Sequence, residues 1–165
     1  MYTETHSREM ILKILSEIPD PEIPVITIKD LGILRNVELN SEGCRVTITP
    51  TYSGCPAMKA IEDQIRSTLQ LHGIGNVEIK TLYAPVWTTD WISDEAKEKL
   101  RKYGIAPPEK KSLDKGSLLG KAKHPACPQC GSMNTEMISQ FGSTACKALY
   151  RCKDCKEPFD YFKCI

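Results

Sequence analysis

Apolar positions along the first hundred residues switch between two periods, and each switch marks an element. Met10, Ile11, Ile14, Leu15 and Ile18 recur at helical spacing, which predicts a helix from about Thr5 to Ile18, ended by Pro19. An irregular stretch, "DPEIPVITIKDLGIL", follows with two prolines and a glycine. From Ile33 to Leu39 the period drops to two, with Ile33, Val37 and Leu39 on one side and Arg35 interrupting. "NSEG" supplies turn chemistry, and "CRVTITP" then alternates Cys44, Val46 and Ile48 against Arg45, Thr47 and Thr49. The two runs form an expected antiparallel hairpin, with Cys44 in the core as a small hydrophobe.

Helical spacing returns after Cys55. Pro56 suits the first helical position, where its missing N–H costs nothing, and Met58, Ile61, Ile65 and Leu69 form the apolar stripe. Gly73 is the natural stop. "VEIKTLY" reads as a third strand with Val77, Ile79 and Thr81 on one face. A third helix is predicted from about Ser93 to Tyr103. Ser93 is its N-cap, Asp94 and Glu95 sit at the positive end of its dipole, and Gly104, Pro107 and Pro108 close it. The order α-β-β-α-β-α over residues 1–107 implies a small two-layer α+β domain with helices on one face of the sheet.

Composition adds a second, smaller unit. The 165 residues are 41% hydrophobic and 26% charged, enough for one ordinary domain plus something small. The N-terminus lacks a secretory apolar region, and no apolar run reaches bilayer length, so a cytoplasmic location is expected. In that reducing compartment eight cysteines point to metal or redox chemistry rather than disulfides. The net charge of +1 conceals an asymmetry. Residues 1–107 carry 12 basic against 15 acidic side chains, and residues 108–165 carry 10 against 6. Much of the basic excess lies in "EKKSLDKGSLLGKAKH", a polar stretch with five lysines that reads as a linker over 108–124.

The remaining residues, 125–165, contain "CPQCG" and "CKDC", which together make CxxC-x21-CxxC. Each pair can present two thiolates to one tetrahedral ion, the zinc-ribbon arrangement, so Cys127, Cys130, Cys152 and Cys155 are the candidate ligands of a structural zinc. Gly131 permits the left-handed backbone that follows such a turn. A rubredoxin-like iron would fit the same four sulfurs. Cys146 and Cys164 are expected as buried small side chains. From Cys127 onward five basic residues face four acidic ones, and four thiolates with a divalent ion add about −2. The ribbon therefore lacks the basic stripe that nucleic acid requires, and a protein partner is the better expectation.

Three further residues carry open alternatives. Asp20 and Glu22, two apart in an extended segment, would project to the same side and place two carboxylates in one site. Alternatively, Asp20 caps a turn and Glu22 is a surface charge. Cys55 is the expected N-cap of the second helix, where free N–H groups favour a thiolate that is reactive or binds metal. Burial as filler is the rival reading. GxxxxGK[ST], GxSxG and HExxH are missing, and His6, His72 and His124 fall at a terminus, a helix end and a linker. The chain does not read as a stand-alone enzyme.

The stretches "DPEIPVITIKDLGIL", "VTITPTYSGCPAM" and "VWTTDWIS" resemble the MIP18 (DUF59) family, whose members serve iron–sulfur and metal-centre assembly. With "APVWTTDWISDEAKEKLRKYGIAPP" and the cysteine-rich tail, the chain is similar to a narrower group, the accessory D components of bacterial ring-1,2-phenylacetyl-CoA epoxidase systems. The resemblance implies the α+β fold and zinc ribbon above. It also implies an iron- or cluster-handling role for Cys55, with Asp20 and Glu22 of "DPE" and Asp30 of "DLG" around it. A transient iron or Fe–S cluster is the implied cargo. The epoxidase subunits are the implied partners of an accessory maturation factor, and a structural or electron-transfer subunit of the epoxidase is the rival. A cluster usually takes four thiolates, so a homodimer is attractive.

Overall fold

The computed structural model describes residues 7–109 and 124–163. Thr5, His6, Cys164 and most of the linker expected at 108–124 lie outside the described residues. By compactness the chain divides into two units, Met1–Trp91 and Ile92–Ile165.

In the first unit, α1 (Arg8–Leu15) is capped by Ser7, whose hydroxyl accepts the Met10 N–H at 3.1 Å. It ends three residues before the expected Ile18, and Glu17 and Ile18 continue as turns. β1 (Leu34–Asn40) and β2 (Gly43–Ile48) form the antiparallel hairpin. Asn40 Oδ1 accepts from the N–H groups of Glu42 and Gly43 and shapes its turn. A register shift between Leu34 and Asn36 breaks the alternation of β1. Val37 stays buried while Leu39, expected on the core side, is exposed near the hairpin end. Cys44, Val46 and Ile48 are buried as expected, and burial pushes the Cys44 thiol up.

α2 (Ala57–Leu71) buries Ala57, Ile61, Ile65 and Leu69, with Met58 half-buried beside them. Gly73, at φ +83°, ends it in the left-handed conformation, and the Ile74 N–H returns to the Leu69 carbonyl at 3.0 Å. α2 carries the chain over to β3 (Val77–Thr81), which lies parallel to β2, giving the sheet order β1-β2-β3. α1 packs on α2 and β1, and α2 packs on β3. The irregular stretch fills in around this frame by burying Ile23, Ile26, Ile28, Leu31 and Ile33.

The second unit starts with α3 (Asp94–Tyr103). Ser93 caps it by accepting from the Ala96 N–H at 3.1 Å, and Gly104 closes it at φ +94°. Two residues of strand follow, β4 (Ile105–Ala106), paired parallel to β7 (Pro158–Phe162). β5 (Thr135–Ser139) and β6 (Lys147–Cys152) complete a sheet of order β4-β7-β6-β5. Pairing with β7, and the packing of α3 on β4, group both elements with the ribbon strands. The core here is small and aromatic. Tyr150 stacks on Phe159 and meets Tyr161 edge-on, beside Ala106, Ala148, Cys127 and Cys152. Lys147 is 5% exposed and pairs with Asp160 at 3.4 Å, so its buried charge is compensated.

Candidate metal centre and cysteine site

Two tight turns build the tail centre. In the first, the Gly131 N–H returns to the Cys127 carbonyl at 2.8 Å, with Gly131 at φ +76°. In the second, Lys156 occupies the matching place after Cys155 at φ +69°, a left-handed conformation that a lysine rarely takes. The turns face each other and are tied by Asp154. Its carboxylate accepts from Ser132 Oγ at 2.5 Å and from Asn134 Nδ2 at 2.8 Å. These two bonds, with a smaller contribution from Lys156, hold the Asp154 carboxyl below its usual range.

The turns bring all four sulfurs within 4.8 Å of one another. Cys127 Sγ lies 3.7 Å from Cys155 Sγ, and Cys130 Sγ lies 3.6 Å from Cys152 Sγ. Four sulfurs at the zinc–thiolate bond length around one tetrahedral ion stand about 3.8 Å apart, so the donor set fits such an ion. Cys127 and Cys152 are buried in the aromatic core, and Cys130 and Cys155 face outward. Backbone N–H groups point at the sulfurs. Those of Cys155 and Asp154 outweigh desolvation at Cys152 and lower its thiol to about 7. The Glu157 N–H pulls Cys155 down, but desolvation and the three neighbouring thiols push it up to about 12. At Cys130 the Ser132 N–H also lowers the thiol, and desolvation with the Cys152 and Cys127 thiols leaves it raised. Four thiolates this close cannot ionise together without a cation, and a bound divalent ion would supply that charge.

Among the described residues, these cysteines are the group of potential ligands that converges on a point; Cys55, Asp20, Glu22 and Asp30 form no such group within one chain. Asp20 does not lie in an extended run. Pro21 turns the chain, and Asp20 Oδ1 accepts from the N–H groups of Glu22 at 2.9 Å and Ile23 at 2.8 Å. The turn-capping alternative is the one adopted, and Glu22 is half-buried on that turn. Asp30 and Thr27 cap each other: Asp30 Oδ2 accepts from the Thr27 N–H and Thr27 Oγ1 from the Asp30 N–H, both at 3.1 Å.

Cys55 is displaced by one position from the expected cap. Pro56 takes the cap position with no side-chain bond, in helical geometry at φ −67° and ψ −23°. Cys55 stands just before it, half-buried, and its carbonyl accepts the Met58 N–H at 3.2 Å. Its surroundings follow from the sheet. The Thr49 N–H bonds the Ile33 carbonyl, and the Leu82 N–H bonds the Ile48 carbonyl. The Cys55 loop, the end of the "DLG" turn and the segment after β3 therefore leave the sheet at the same end. Trp87 holds that end together; its buried indole N–H donates to the Leu31 carbonyl at 2.7 Å. The Arg35 guanidinium lies 3.9 Å above the Trp91 ring.

Sequence reasoning missed Asp154, Lys156 and Trp87. The acid inside "CKDC" and the "SxN" after "CPQCG" were the readable signal for the Asp154 tie. Cys146 is buried as expected, with its sulfur 3.0 Å from Thr144 Oγ1. His72 and His124 each bond a backbone carbonyl through Nδ1 at 2.8 Å. Among the described residues no helix is long and apolar enough to cross a membrane.

Two family models match the chain. One, described as an iron–sulfur cluster assembly protein, covers residues 8–81, and the other, the PaaD zinc beta ribbon domain, covers residues 111–163. An Escherichia coli K12 protein described as the D component of 1,2-phenylacetyl-CoA epoxidase is 52% identical over 155 residues, spanning 94% of this chain and 92% of that one. An Fe-S protein maturation auxiliary factor of Porphyromonas gingivalis is 36% identical over 92 residues, spanning 54% of this chain and 87% of that one. Among solved structures, a DUF59 domain from Bacillus anthracis shares the fold at a TM-score of 0.52 and 24% identity, covering 56% of this chain and 90% of that one.

Proposed function

Because this chain belongs to the PaaD family, in which an iron–sulfur cluster assembly region precedes a zinc ribbon, we propose that it is an accessory maturation factor. It helps to assemble the iron centre or cluster of a phenylacetyl-CoA epoxidase, and it works in the cytoplasm. The observation that carries this reading is the near full-length match to the E. coli epoxidase D component, joined over the N-terminal half by matches to maturation factors. In this reading, residues 1–107 handle the cargo and residues 125–165 recognise the client. Cys55 takes the iron or cluster transiently. Its place supports that role, since the thiol is half-buried on a loop at the sheet end rather than sealed in the core.

Asp20 and Asp30 serve the site by holding its turns, and Glu22 sits on the first of them. Cys127, Cys130, Cys152 and Cys155 hold a structural zinc, which contributes the folding energy that a core of this size lacks. One chain offers one thiol to the cargo, so a second chain or an outside thiol completes the ligand set.

The test replaces Cys55 with serine in a strain that expresses the oxygenase, and measures iron in the purified oxygenase. Iron loading should fall while the variant keeps its zinc and its fold. Normal iron content and activity would sink the cargo role. Cys152→Ser should lose the zinc and unfold the ribbon while the Met1–Trp91 unit keeps its tryptophan emission. A stable stoichiometric complex with the iron-loaded oxygenase, still needed for turnover, would favour a structural or electron-transfer subunit instead.

A further inference from the structure

The ribbon exposes more apolar surface than its function as a metal-held module requires. Met137, Ile138 and Phe141 are 50%, 53% and 65% exposed, and all three lie on one hairpin arm. Beneath them is a groove of about 360 Å³ lined by Met137, Gln140, Phe141, Tyr150, Tyr161 and Lys163. Its floor is the edge of the aromatic core, because Met137 pairs across the sheet with Tyr150. β5, which forms one wall, is the outer strand of the sheet among the described residues.

Charge decides what fits there. Lys163 is the formally charged residue of the lining, and its ammonium is held in place by the Gln140 carbonyl at 2.9 Å and the Phe141 ring at 4.7 Å. Among the described residues the ribbon's carboxylates are engaged elsewhere: Asp160 with Lys147, Glu136 with Lys153, and Asp154 with Ser132 and Asn134. None of these pairs with Lys163. The groove therefore presents methionine and aromatic faces beside one positive charge that no described carboxylate offsets. Such surfaces take a large apolar side chain flanked by an acid. One lysine is too little to follow a phosphate backbone.

We propose that this groove is the ribbon's docking site for a protein segment in which an aromatic or large aliphatic side chain is followed within two residues by aspartate or glutamate. The apolar side chain enters between Met137, Phe141 and the tyrosines, and its acidic neighbour pairs with Lys163. This names the client-facing surface, and it rests on the reading of the ribbon as the client-recognition module.

The test uses the full zinc-loaded chain and two labelled decapeptides, identical except that the two acids beside a central phenylalanine are lysines in the second. The acidic peptide should bind more tightly, by about threefold to tenfold, and Lys163→Glu should erase or invert the preference. Phe141→Ala should weaken the acidic peptide, while Tyr83→Ala, in the other unit, should not. Unchanged zinc content and circular dichroism establish that each variant is folded. Equal binding of the two peptides, or a preference that survives Lys163→Glu, overturns the proposal. So does displacement of the acidic peptide by an oligonucleotide at matched ionic strength. None of these results depends on which client is served. Loss of iron loading in Cys55→Ser with no peptide preference would leave the maturation role standing and remove only the groove.

Discussion

Gly32→Ala separates two penalties that usually arrive together. Gly32 lies in the "DLG" turn at φ +73°, so any side chain there costs about 1–2 kcal/mol from the left-handed backbone. Space adds the second penalty. A Cβ on Gly32 would stand 2.8 Å from Trp91 Cβ and 3.2 Å from the Trp91 carbonyl oxygen. Those atoms are main chain or next to it, so relief requires moving the short helical turn Thr89–Trp91 itself, an overpacking cost of about 1–3 kcal/mol. The total is about 2–5 kcal/mol. Gly54→Ala supplies the reference, since Gly54 is also left-handed, at φ +81°, but a Cβ there meets no heavy atom within 4 Å. It should cost only the backbone part. Urea unfolding followed by tryptophan emission is the assay, because both tryptophans, Trp87 and Trp91, belong to the Met1–Trp91 unit. The emission of folded Gly32→Ala should also shift as Trp91 is displaced from under Arg35. Destabilisation by the two variants agreeing to within about 0.5 kcal/mol would refute the steric part of the reasoning.

Two predictions concern the ribbon. Zinc must displace thiol protons, and the Cys152 thiol sits at about 7, so it is ionised above that pH and protonated below it. Protons released per zinc should therefore rise by about one between pH 8 and pH 6, and apparent affinity should fall over the same window. Calorimetric titration in buffers of different ionisation heat would show this, and a constant proton count would contradict it. Lys156→Gly should stabilise the zinc-loaded ribbon by about 0.5–1 kcal/mol by relieving its left-handed backbone, whereas Gly131→Ala should destabilise it by a similar amount. Thermal melts by circular dichroism would give both signs; a loss of stability in Lys156→Gly would mean that its side chain contributes more than its backbone costs.

Elements with a strong period were legible in the sequence. The α2 stripe, the hairpin and the Ser93 and Gly104 caps of α3 all follow from spacing and end chemistry that act within a few residues. The four tail cysteines were legible for the same reason, since each CxxC is a local turn. What failed was set by contacts or by single-residue choices. β4 is two residues long and exists only because β7 accepts it, a pairing more than fifty positions away. Leu39 lost its inward position to a register shift at the start of β1. Asp20 had the same sequence neighbours in both readings, and Pro21 tipped it into a turn. Cys55 missed the cap by one residue, because proline fits both the cap and the first helical position.

The parallel pairing of β2 with β3 has a consequence for the order of folding. The β1–β2 hairpin closes across a two-residue turn, whereas Cys44 and Val77, partners in the parallel ladder, are 33 positions apart. Closing the longer loop costs about 2 kcal/mol more in chain entropy, so the hairpin and α2 are expected to form before β3 docks. The Cys55 loop spans that gap, and its far anchor, the Leu82 bond to Ile48, exists only once β3 is in place. A ribosome-bound chain ending before residue 77 would carry the thiol on an unfinished sheet. The thiol's surroundings are thus completed late in folding, after the hairpin that supports them.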